Sequence, residues 1–401
     1  MIYEKRDFEL AQMFCAIVLG ADEYYRELQK TQNTGDGVFR VEGLVPVNFT
    51  GVDPIKVDDW RQVFDDLDKI YDGYEQIADI TRRNYMLQQV GSFRKVCRWV
   101  SGRWPISFRE IVAETMFVNE NPVGSKIIQK EYEKMDHLLK QAGFLRGNLK
   151  ERVKSWHRSR ELSNSEEVKK VIIALLKEAK ERTLRLGFNV INNFNIEVKL
   201  VHSVPFSAYC DYHTCSVQVN GDVPYTVDEL KHLVCHEAFP GHMTHMAVRQ
   251  KLLEEGRVPK DAGLVLTNTA SSPIFEGLAD NGMAVLNWDE GINDRICKVF
   301  NRVNCMCNVN ASHYMHCAGR NAEQTAEYLR KNSFSTEAQI ASRLRYMSYP
   351  FRKAYMYPYW RGWDAVSTVW ESLKEREKSD FLRYIYENMH SVDTLLQYRE
   401  N

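Results

Sequence analysis

Residues 235–246 read CHEAFPGHMTHM, and the arrangement of the chain around this stretch decides its architecture. His236-Glu237 begins like the zinc helix of a metallopeptidase. In such a helix the second histidine stands four positions after the first, at i+4. Here that position is Pro240, and the next histidine is His242. Residues six apart on a straight helix point about 240° apart. The two histidines can therefore share one ion only if the backbone turns between them.

Pro240 predicts such a turn. A helix that continued through it would lose the hydrogen bond to the carbonyl of His236, so the helix should end or kink near Phe239. Gly241 can take a backbone conformation that other residues avoid, which would re-aim the chain. Residues 226–229, TVDE, are typical of a capping box and place the start of the motif helix there.

A second segment, SSPIFEGLAD at residues 271–280, offers a third ligand. Ser272 is suited to the N-cap and Pro273 to the first helical position, so Glu276 and Asp280 should lie one turn apart on one helix face. Two histidines and a glutamate leave the fourth zinc position open to water, which is the composition of a catalytic site. Asp280 is then placed to orient a ligating imidazole.

Glu237 is the expected general base beside such a metal. It would take a proton from water on the metal and deliver it to the leaving group, as in water attack on an amide. His232 and His236, four residues apart, form a rival ligand pair, and His245 is a further alternative to His242. The competing interpretation of the whole stretch is a kinked core helix with incidental histidines.

The segments HEAFPGH and IFEGLAD together resemble the domain-of-unknown-function family 885, whose members carry HE-x-x-P-G-H-H and a downstream E-G-W/L-A segment. The likeness includes AYCDYHTCSVQVN at 208–220, LTNTASSPIFEG at 266–277 and RYMSYP at 345–350. It therefore covers roughly the C-terminal half of the chain. The family is regarded as zincin-like metallopeptidases with a largely helical fold. The resemblance implies a gluzincin-like, zinc-dependent metallopeptidase with the corresponding active-site cleft.

The resemblance also implies roles for single residues. His236 and His242 take the histidine ligand positions, Glu276 the carboxylate ligand and Glu237 the base. The second of the family's paired histidines is Met243 here, so only His242 can serve.

A tyrosine is expected to stabilise the oxyanion. The family's tyrosine follows a proline at a shorter spacing than the one found after Pro350, so either Tyr355 or Tyr359 could correspond to it. Tyr209, in the segment before the motif, is a candidate for substrate contact.

Two further substrate contacts are expected. His316 is one candidate, although the family's acidic residue four positions before it is Ser312 here. An arginine is the other, because a guanidinium can clamp a peptide carboxylate with two hydrogen bonds. Arg343, Arg345 and Arg352 all qualify, and Arg352 is the one we assign to the substrate.

The remaining sequence predicts a mainly α protein with a large helical body. Helical periodicity covers residues 5–30, 55–100, 106–117, 124–143 and 147–162, and the next helix follows a capping box at 163–166 and ends at Gly187. Alternating residues at 194–200, and a second short strand at 216–220, predict a small β element before the motif helix. If the strand at 216–220 has an open edge, it could pair with an extended peptide.

The chain is expected to form a single metallohydrolase domain over residues 1–401, with its metal-site region at 205–290. The candidate boundary is a Gly-rich connection near residues 31–54, which would delimit an N-terminal helical subregion at 1–53. The formal net charge of −1 gives no basic field for nucleic acid. No run approaches the about 20 apolar residues of a membrane span.

The expected location is cytoplasmic. The N-terminus lacks the basic flank and apolar core of a signal peptide. The nine cysteines show no paired spacing, which favours free thiols in a reducing compartment.

The expected function is that of a zinc-dependent metallopeptidase acting on short peptides, with another divalent metal as the alternative ion. Neither nucleic acid nor a membrane is an expected partner. Two alternatives stay open. One is a metal-dependent hydrolase of a non-peptide amide or ester, and the other is a non-enzymatic helical binding protein.

Overall fold

A computed structural model describes residues 1–32, 43–204 and 206–399. Part of the Gly-rich connection near 31–54, residues 33–42, lies outside the described residues. Helices make up 64% of the chain, which confirms the mainly α fold. The internal contacts divide the chain into two compact units, one of Met1–Asn119, His245–Gly277 and Arg361–Asn401, the other of Glu120–Thr244 and Leu278–Trp360. The expectation of a single domain stays a prediction.

The α-helices occur throughout the described part of the chain. In chain order they are α1 (Lys5–Gln32), α2 (Trp60–Tyr74), α3 (Ile80–Ser101), α4 (Phe108–Thr115), α5 (Ser125–Gln141), α6 (Leu149–Arg160), α7 (Ser165–Arg185), α8 (Val227–Glu237), α9 (His242–Glu254), α10 (Ser272–Asp280), α11 (Gly282–Val285), α12 (Ile292–His316), α13 (Ala322–Asn332), α14 (Glu337–Ser348), α15 (Met356–Trp370), α16 (Glu375–Glu387) and α17 (Val392–Leu396). Short 3₁₀ turns occur at Asn189–Ile191, Lys260–Gly263 and Gln397–Arg399.

The strands are short. They are β1 (Val47–Asn48), β2 (Glu197–Val201), β3 (Ala208–Asp211), β4 (Ser216–Asn220) and β5 (Leu264–Val265). β1 and β5 form an antiparallel pair in the first unit. In the second unit β4 lies at the centre of a three-stranded sheet, parallel to β2 and antiparallel to β3. The predicted β element before the motif helix is confirmed, but β3 was not predicted as a strand of its own.

Among the described residues, a side chain at the N-cap marks the start of nine of the α-helices. The motif helix α8 begins after Thr226, whose hydroxyl accepts from the Glu229 N–H while the Glu229 carboxylate accepts from the Thr226 N–H, as the capping box predicted. The cap of α7 is one residue later than predicted. Asn164 accepts from the Glu167 N–H, and Ser163 instead donates to the Glu167 carboxylate.

A buried ion cluster joins three segments of the first unit. The Arg82 guanidinium, on α3 and only 1% exposed, donates to both carboxylate oxygens of Asp7 and of Asp261. Removing one partner of such a cluster would leave uncompensated buried charge, which is strongly destabilising. The cluster therefore ties α1, α3 and the 3₁₀ turn before β5 to one another.

Two glycines let α10 and α15 approach closely within the first unit. A Cβ on Gly277 would overlap the backbone of Gly362, and a Cβ on Gly362 would overlap the carbonyl oxygen of Pro273. Backbone atoms cannot move aside as the end of a flexible side chain can. The position of α10, which carries Glu276, therefore depends on the absence of side chains at this crossing.

Gly362→Ala is expected to lower the free energy of unfolding by about 1–3 kcal/mol, the usual cost of overpacking. Helix propensity alone would act in the opposite direction, by up to about 1 kcal/mol in favour of alanine. The matched control is Gly91→Ala in α3, where the added Cβ meets only a ring carbon of Tyr71 at 3.8 Å. The control should be neutral or stabilising. Urea unfolding followed by circular dichroism measures both, and equal effects would contradict the steric account.

Candidate metal centre

The chain breaks between α8 and α9. The α8 helix ends at Glu237, the Phe239–Pro240 peptide bond is cis, and α9 begins at His242. The predicted end of the helix near Phe239 is thereby confirmed. Gly241 is not among the glycines with positive φ, contrary to the backbone conformation that we expected for it. Its role is steric, because a Cβ there would overlap the carbonyl oxygen of His236.

The break brings the two histidines of the motif together. The ring centroids of His236 and His242 lie 4.6 Å apart, with the rings nearly perpendicular. Each of His236, His242 and Glu276 offers a ligand atom, and these atoms all lie within 4.8 Å of one another. Their exposed fractions are 9%, 7% and 5%, respectively. The geometry therefore meets the spatial requirement for a shared cation.

Asp280 fixes the orientation of the His236 imidazole. Nδ1 of His236 lies 2.9 Å from Oδ1 of Asp280, within hydrogen-bond distance. In the carboxylate–histidine pairs that support metal sites, an imidazole held in this way through one nitrogen directs its other nitrogen toward the ion. Burial raises the pKa of the Asp280 carboxyl, but His236 and the hydrogen bonds from both His232 and His236 outweigh it and hold that pKa below its usual range.

A rival group consists of His232, His236 and Asp280, whose ligand atoms also lie within 4.8 Å of one another. Nε2 of His232 lies 3.3 Å from the same Asp280 oxygen that meets His236. These short distances are explained by hydrogen bonds from the two imidazoles to one carboxylate. We therefore favour Asp280 as the orienting group and the set with His242 and Glu276 as the ligands. His245, the alternative to His242, is buried, and its ring centroid lies 5.6 Å from the ring centroids of Phe275 and of Tyr386. It belongs to neither group of candidate ligands.

A cavity of about 220 Å³ lies in the second unit, against the motif helix. His232, His236, Glu237 and Asp280 all line it. Glu237 is half-buried and is one of the residues that line this cavity. A carboxylate so placed is suited to accept a proton from a water molecule in the cavity.

The two candidate tyrosines differ in their positions. Tyr359 lines the cavity, and its ring centroid is 6.4 Å from that of His236. Tyr355 packs edge-on against Tyr359, with centroids 5.7 Å apart, and does not line the cavity. The geometry therefore favours Tyr359 as the group that can reach a substrate. Tyr346, from the RYMSYP segment at 345–350, also lines the cavity.

Three residues assigned to substrate binding lie off the cavity wall. Nε2 of His316 lies 3.0 Å from the Met347 carbonyl oxygen, and burial lowers the pKa of this histidine. Arg352 is 7% exposed, and its guanidinium lies over the Tyr355 ring at 5.0 Å. Tyr209 is on β3. Burial, together with neighbours that include Glu237, raises the Tyr209 pKa to about 12. The roles of all three stay predictions.

Sequence reasoning missed one wall of the cavity. Asn301, Asn304 and Asn308 of α12 line it. Their spacing of three and four residues places them on one helix face, and this spacing is a signal that could have found them.

The chain matches no model of a known protein family and no curated protein sequence. Its structure is similar to "the putative lipoprotein from Colwellia psychrerythraea", with a TM-score of 0.57 and 15% identity over 84% of this chain and 68% of that one. A second similar structure, "a putative lipoprotein of unknown function from Shewanella oneidensis", has a TM-score of 0.49 and 13% identity over 85% of this chain and 71% of that one. The 15% identity to the first of these structures indicates a shared fold alone.

Membership of family 885 and the cytoplasmic location stay predictions. Within residues 1–32, 43–204 and 206–399, no helix is long and apolar enough to cross a membrane. All nine cysteines fall in these ranges, and none is in a disulfide.

Asp280→Asn is expected to lower zinc affinity by about 10- to 100-fold, the usual effect of removing the partner of a ligating histidine. Competition with a chromophoric chelator measures the affinity. Glu327→Gln, an exposed substitution on α13, is the control and should leave the affinity unchanged. His232→Ala should also change it little. An Asp280→Asn protein with full affinity, or a His232→Ala protein that has lost it, would contradict this assignment of ligands.

Proposed function

We propose that the protein is a zinc-dependent metallopeptidase that hydrolyses short peptides, with one cation held by His236, His242 and Glu276. The observation that carries the proposal is the convergence of these three buried side chains to within 4.8 Å of one another. Glu237, next to one of them in the chain, lines the cavity. The proposal includes a zincin-like cleft and the membership of family 885 that the sequence resemblance implies.

The donor set suits zinc. Two imidazoles and one carboxylate match the ligands of catalytic zinc sites, and a fourth position would remain for water or substrate. Imidazole nitrogen also binds other divalent metals, so the histidines alone do not select zinc. Zinc is proposed because the combination of two histidines and one glutamate is found in catalytic zinc sites. When bound, zinc supplies a Lewis acid that polarises a carbonyl group and lowers the pKa of water.

The residues of the chain account for the proton transfers. The Glu237 carboxylate accepts a proton from the attacking water, whose oxygen bonds to the carbonyl carbon of the substrate. When the C–N bond breaks, Glu237 delivers that proton to the leaving nitrogen. Products are then a carboxylic acid and an amine, so the atoms of peptide and water are balanced.

Tyr359 is the proposed oxyanion donor. Its position on the cavity wall beside the His236 ring allows the phenol O–H to donate to a substrate oxygen as negative charge develops there. Tyr355 packs against Tyr359, and Arg352 lies over Tyr355. This stack is suited to holding the Tyr359 ring in place, a role that differs from the direct contacts first expected of Tyr355 and Arg352.

The neighbouring sheet supports a peptide as the substrate. β3 is an edge strand of its sheet. Its first residue, Ala208, lines the cavity, as do Phe206 and Ser207 just before it. An extended peptide can add to such an edge through main-chain hydrogen bonds. The sequence left open whether the strand at 216–220 has an open edge. This strand, β4, is paired on both sides, and β3 is an edge strand instead.

Hydrolysis of a small non-peptide amide or ester is the second candidate. The cavity of about 220 Å³ favours it, because pockets for drug-sized ligands occupy about 300–1,000 Å³. The same catalytic groups would serve either substrate. A panel of short peptides, small amides and esters distinguishes the two candidates.

Glu237→Gln is expected to lower kcat by about 10²–10⁴-fold, because it removes the general base. Zinc content should stay at the wild-type level, since Glu237 is not a proposed ligand. Glu327→Gln again is the control for the same change of charge. Hydrolysis of the panel is measured together with metal content. A Glu237→Gln protein of full activity would refute the mechanism, and a wild-type protein that holds no metal and hydrolyses nothing would favour the binding-protein alternative.

A further inference from the structure

A polar wall of the cavity, formed by α12 and α14, takes no part in the proposed chemistry. It contains Asn301, Asn304 and Asn308 from α12, and Ser342 and Arg343 from α14. These residues line the same cavity as Glu237 and Tyr359. All belong to the second unit, so the wall and the general base are parts of one compact body.

Asn308 is buried with an unmet hydrogen-bonding group. It is 8% exposed, and its Oδ1 has no hydrogen-bond partner among the residues that the structure describes. A buried amide oxygen without a partner costs free energy, so such groups call for an explanation such as a bound ligand. The Phe334 N–H donates to Oδ1 of the neighbouring Asn304 at 2.9 Å, which leaves the Asn304 NH₂ group available to the cavity.

Arg343 brings a positive charge to this wall. It is half-buried, and within the described part of the chain its guanidinium has neither a hydrogen bond nor an ion pair. By comparison, Arg302 on α12 pairs with Glu131 at 3.2 Å. A half-buried guanidinium that faces a cavity is suited to bind a carboxylate with two parallel hydrogen bonds.

Of the three acidic residues that line the cavity, Glu229 and Asp280 are engaged elsewhere, and the third is Glu237. Glu229 lies 3.1 Å from Nε2 of His157 and also caps α8. Asp280 meets His232 and His236. Arg343 acts on another residue of the cavity lining, Tyr225. Burial and Glu229 raise the pKa of the Tyr225 phenol, and the positive charge of Arg343 acts to lower it. An anion that enters the cavity would therefore meet one cationic wall.

We infer that Arg343 binds the free C-terminal carboxylate of the peptide substrate, with Asn304 and Asn308 on the polar groups of its last residue. The substrate class is then peptides with a free carboxyl end, and the product is the released C-terminal residue. This inference rests on the proposed function, because it places the scissile bond beside Glu237. Hydrolysis adds the water oxygen to the carbonyl carbon and one proton to the leaving amine, so no other reactant is needed.

The size of the cavity supports release of one terminal residue. Its volume is about 220 Å³, whereas a cavity of about 150 Å³ holds benzene. One side chain and its carboxylate fit such a space, but a chain that continued beyond them would have to leave it again. The wall with Arg343 is therefore suited to hold the last residue of a peptide chain.

Of the three arginines that the sequence left open, Arg343 alone lines the cavity. Arg345 is exposed, two residues further along α14. Arg352 is buried against aromatic rings, with its Nη1 within 3.5 Å of the Tyr346 hydroxyl. The carboxylate clamp assigned from the sequence to Arg352 is thereby transferred to Arg343.

Calorimetric titration of zinc-loaded Glu237→Gln protein tests the inference without hydrolysis. The probes are trialanine and trialanine amide, which differ only in the charge of the C-terminal group. Trialanine should bind about 10- to 100-fold tighter, the range for hydrogen bonds to a charged group. Adding Arg343→Gln should remove the preference by weakening only the acid, whereas adding the matched Arg345→Gln should preserve it.

Equal affinity for acid and amide, no measurable binding of either, or an Arg343→Gln protein that weakens both by the same factor would overturn the inference. The titration is repeated with metal-free wild-type protein, in which a carboxylate cannot bind zinc and no Glu237 substitution is needed.

Hydrolysis separates the two proposals. Wild-type protein that cleaves neither probe but keeps the Arg343-dependent preference would refute the peptidase alone, and equal cleavage of acid and amide would refute the carboxylate site alone.

Discussion

The geometry of the α-helix is the constraint on which the rest of the site depends. On an unbroken helix, His236 and His242 would point in different directions. The chain instead ends α8 at Glu237, passes through the cis Phe239–Pro240 bond and starts α9 at His242. The centroids of the two rings lie 4.6 Å apart as a result. Gly241 is required for the same change of direction, because a Cβ there would overlap the His236 carbonyl oxygen of the preceding helix.

One short helix provides two further parts of the candidate centre. Glu276 and Asp280 lie one turn apart on α10, so one converges with the histidines while the other bonds Nδ1 of His236. The Gly277–Gly362 crossing within the first unit fixes the approach of α10 to α15. Rigid, closely packed helices hold catalytic groups more accurately than loops do. The centre thus depends on backbone packing as much as on its polar residues.

The sequence predicted the features that local chemistry controls. The capping box at Thr226, the break before Pro240 and the shared helix face of Glu276 and Asp280 all follow from neighbouring residues, and the structure contains each of them. The metal-site hypothesis required His236, His242 and Glu276 to approach one another, but no local pattern predicts that approach, because it depends on how separate helices pack. Chemical assignment of these residues stays a proposal.

Tertiary structure decided the features that the sequence left open. Glu237 lines a cavity whose other lining residues include three asparagines of α12 and Arg343, and no local pattern brings these residues together. Three nearby arginines are indistinguishable by type, and only packing shows that Arg352 is buried among rings while Arg343 reaches the cavity. The strand β3 is four residues long and pairs with β4 through long-range contacts, which a local pattern does not reveal.

Anomalous X-ray diffraction at the zinc absorption edge, from crystals of the protein purified with zinc, tests the central claim most directly. The account predicts one strong peak at about 2.0–2.2 Å from a nitrogen of His236, a nitrogen of His242 and an oxygen of Glu276. A peak bonded instead to His232 and Asp280, or no peak near His236 at all, would contradict it.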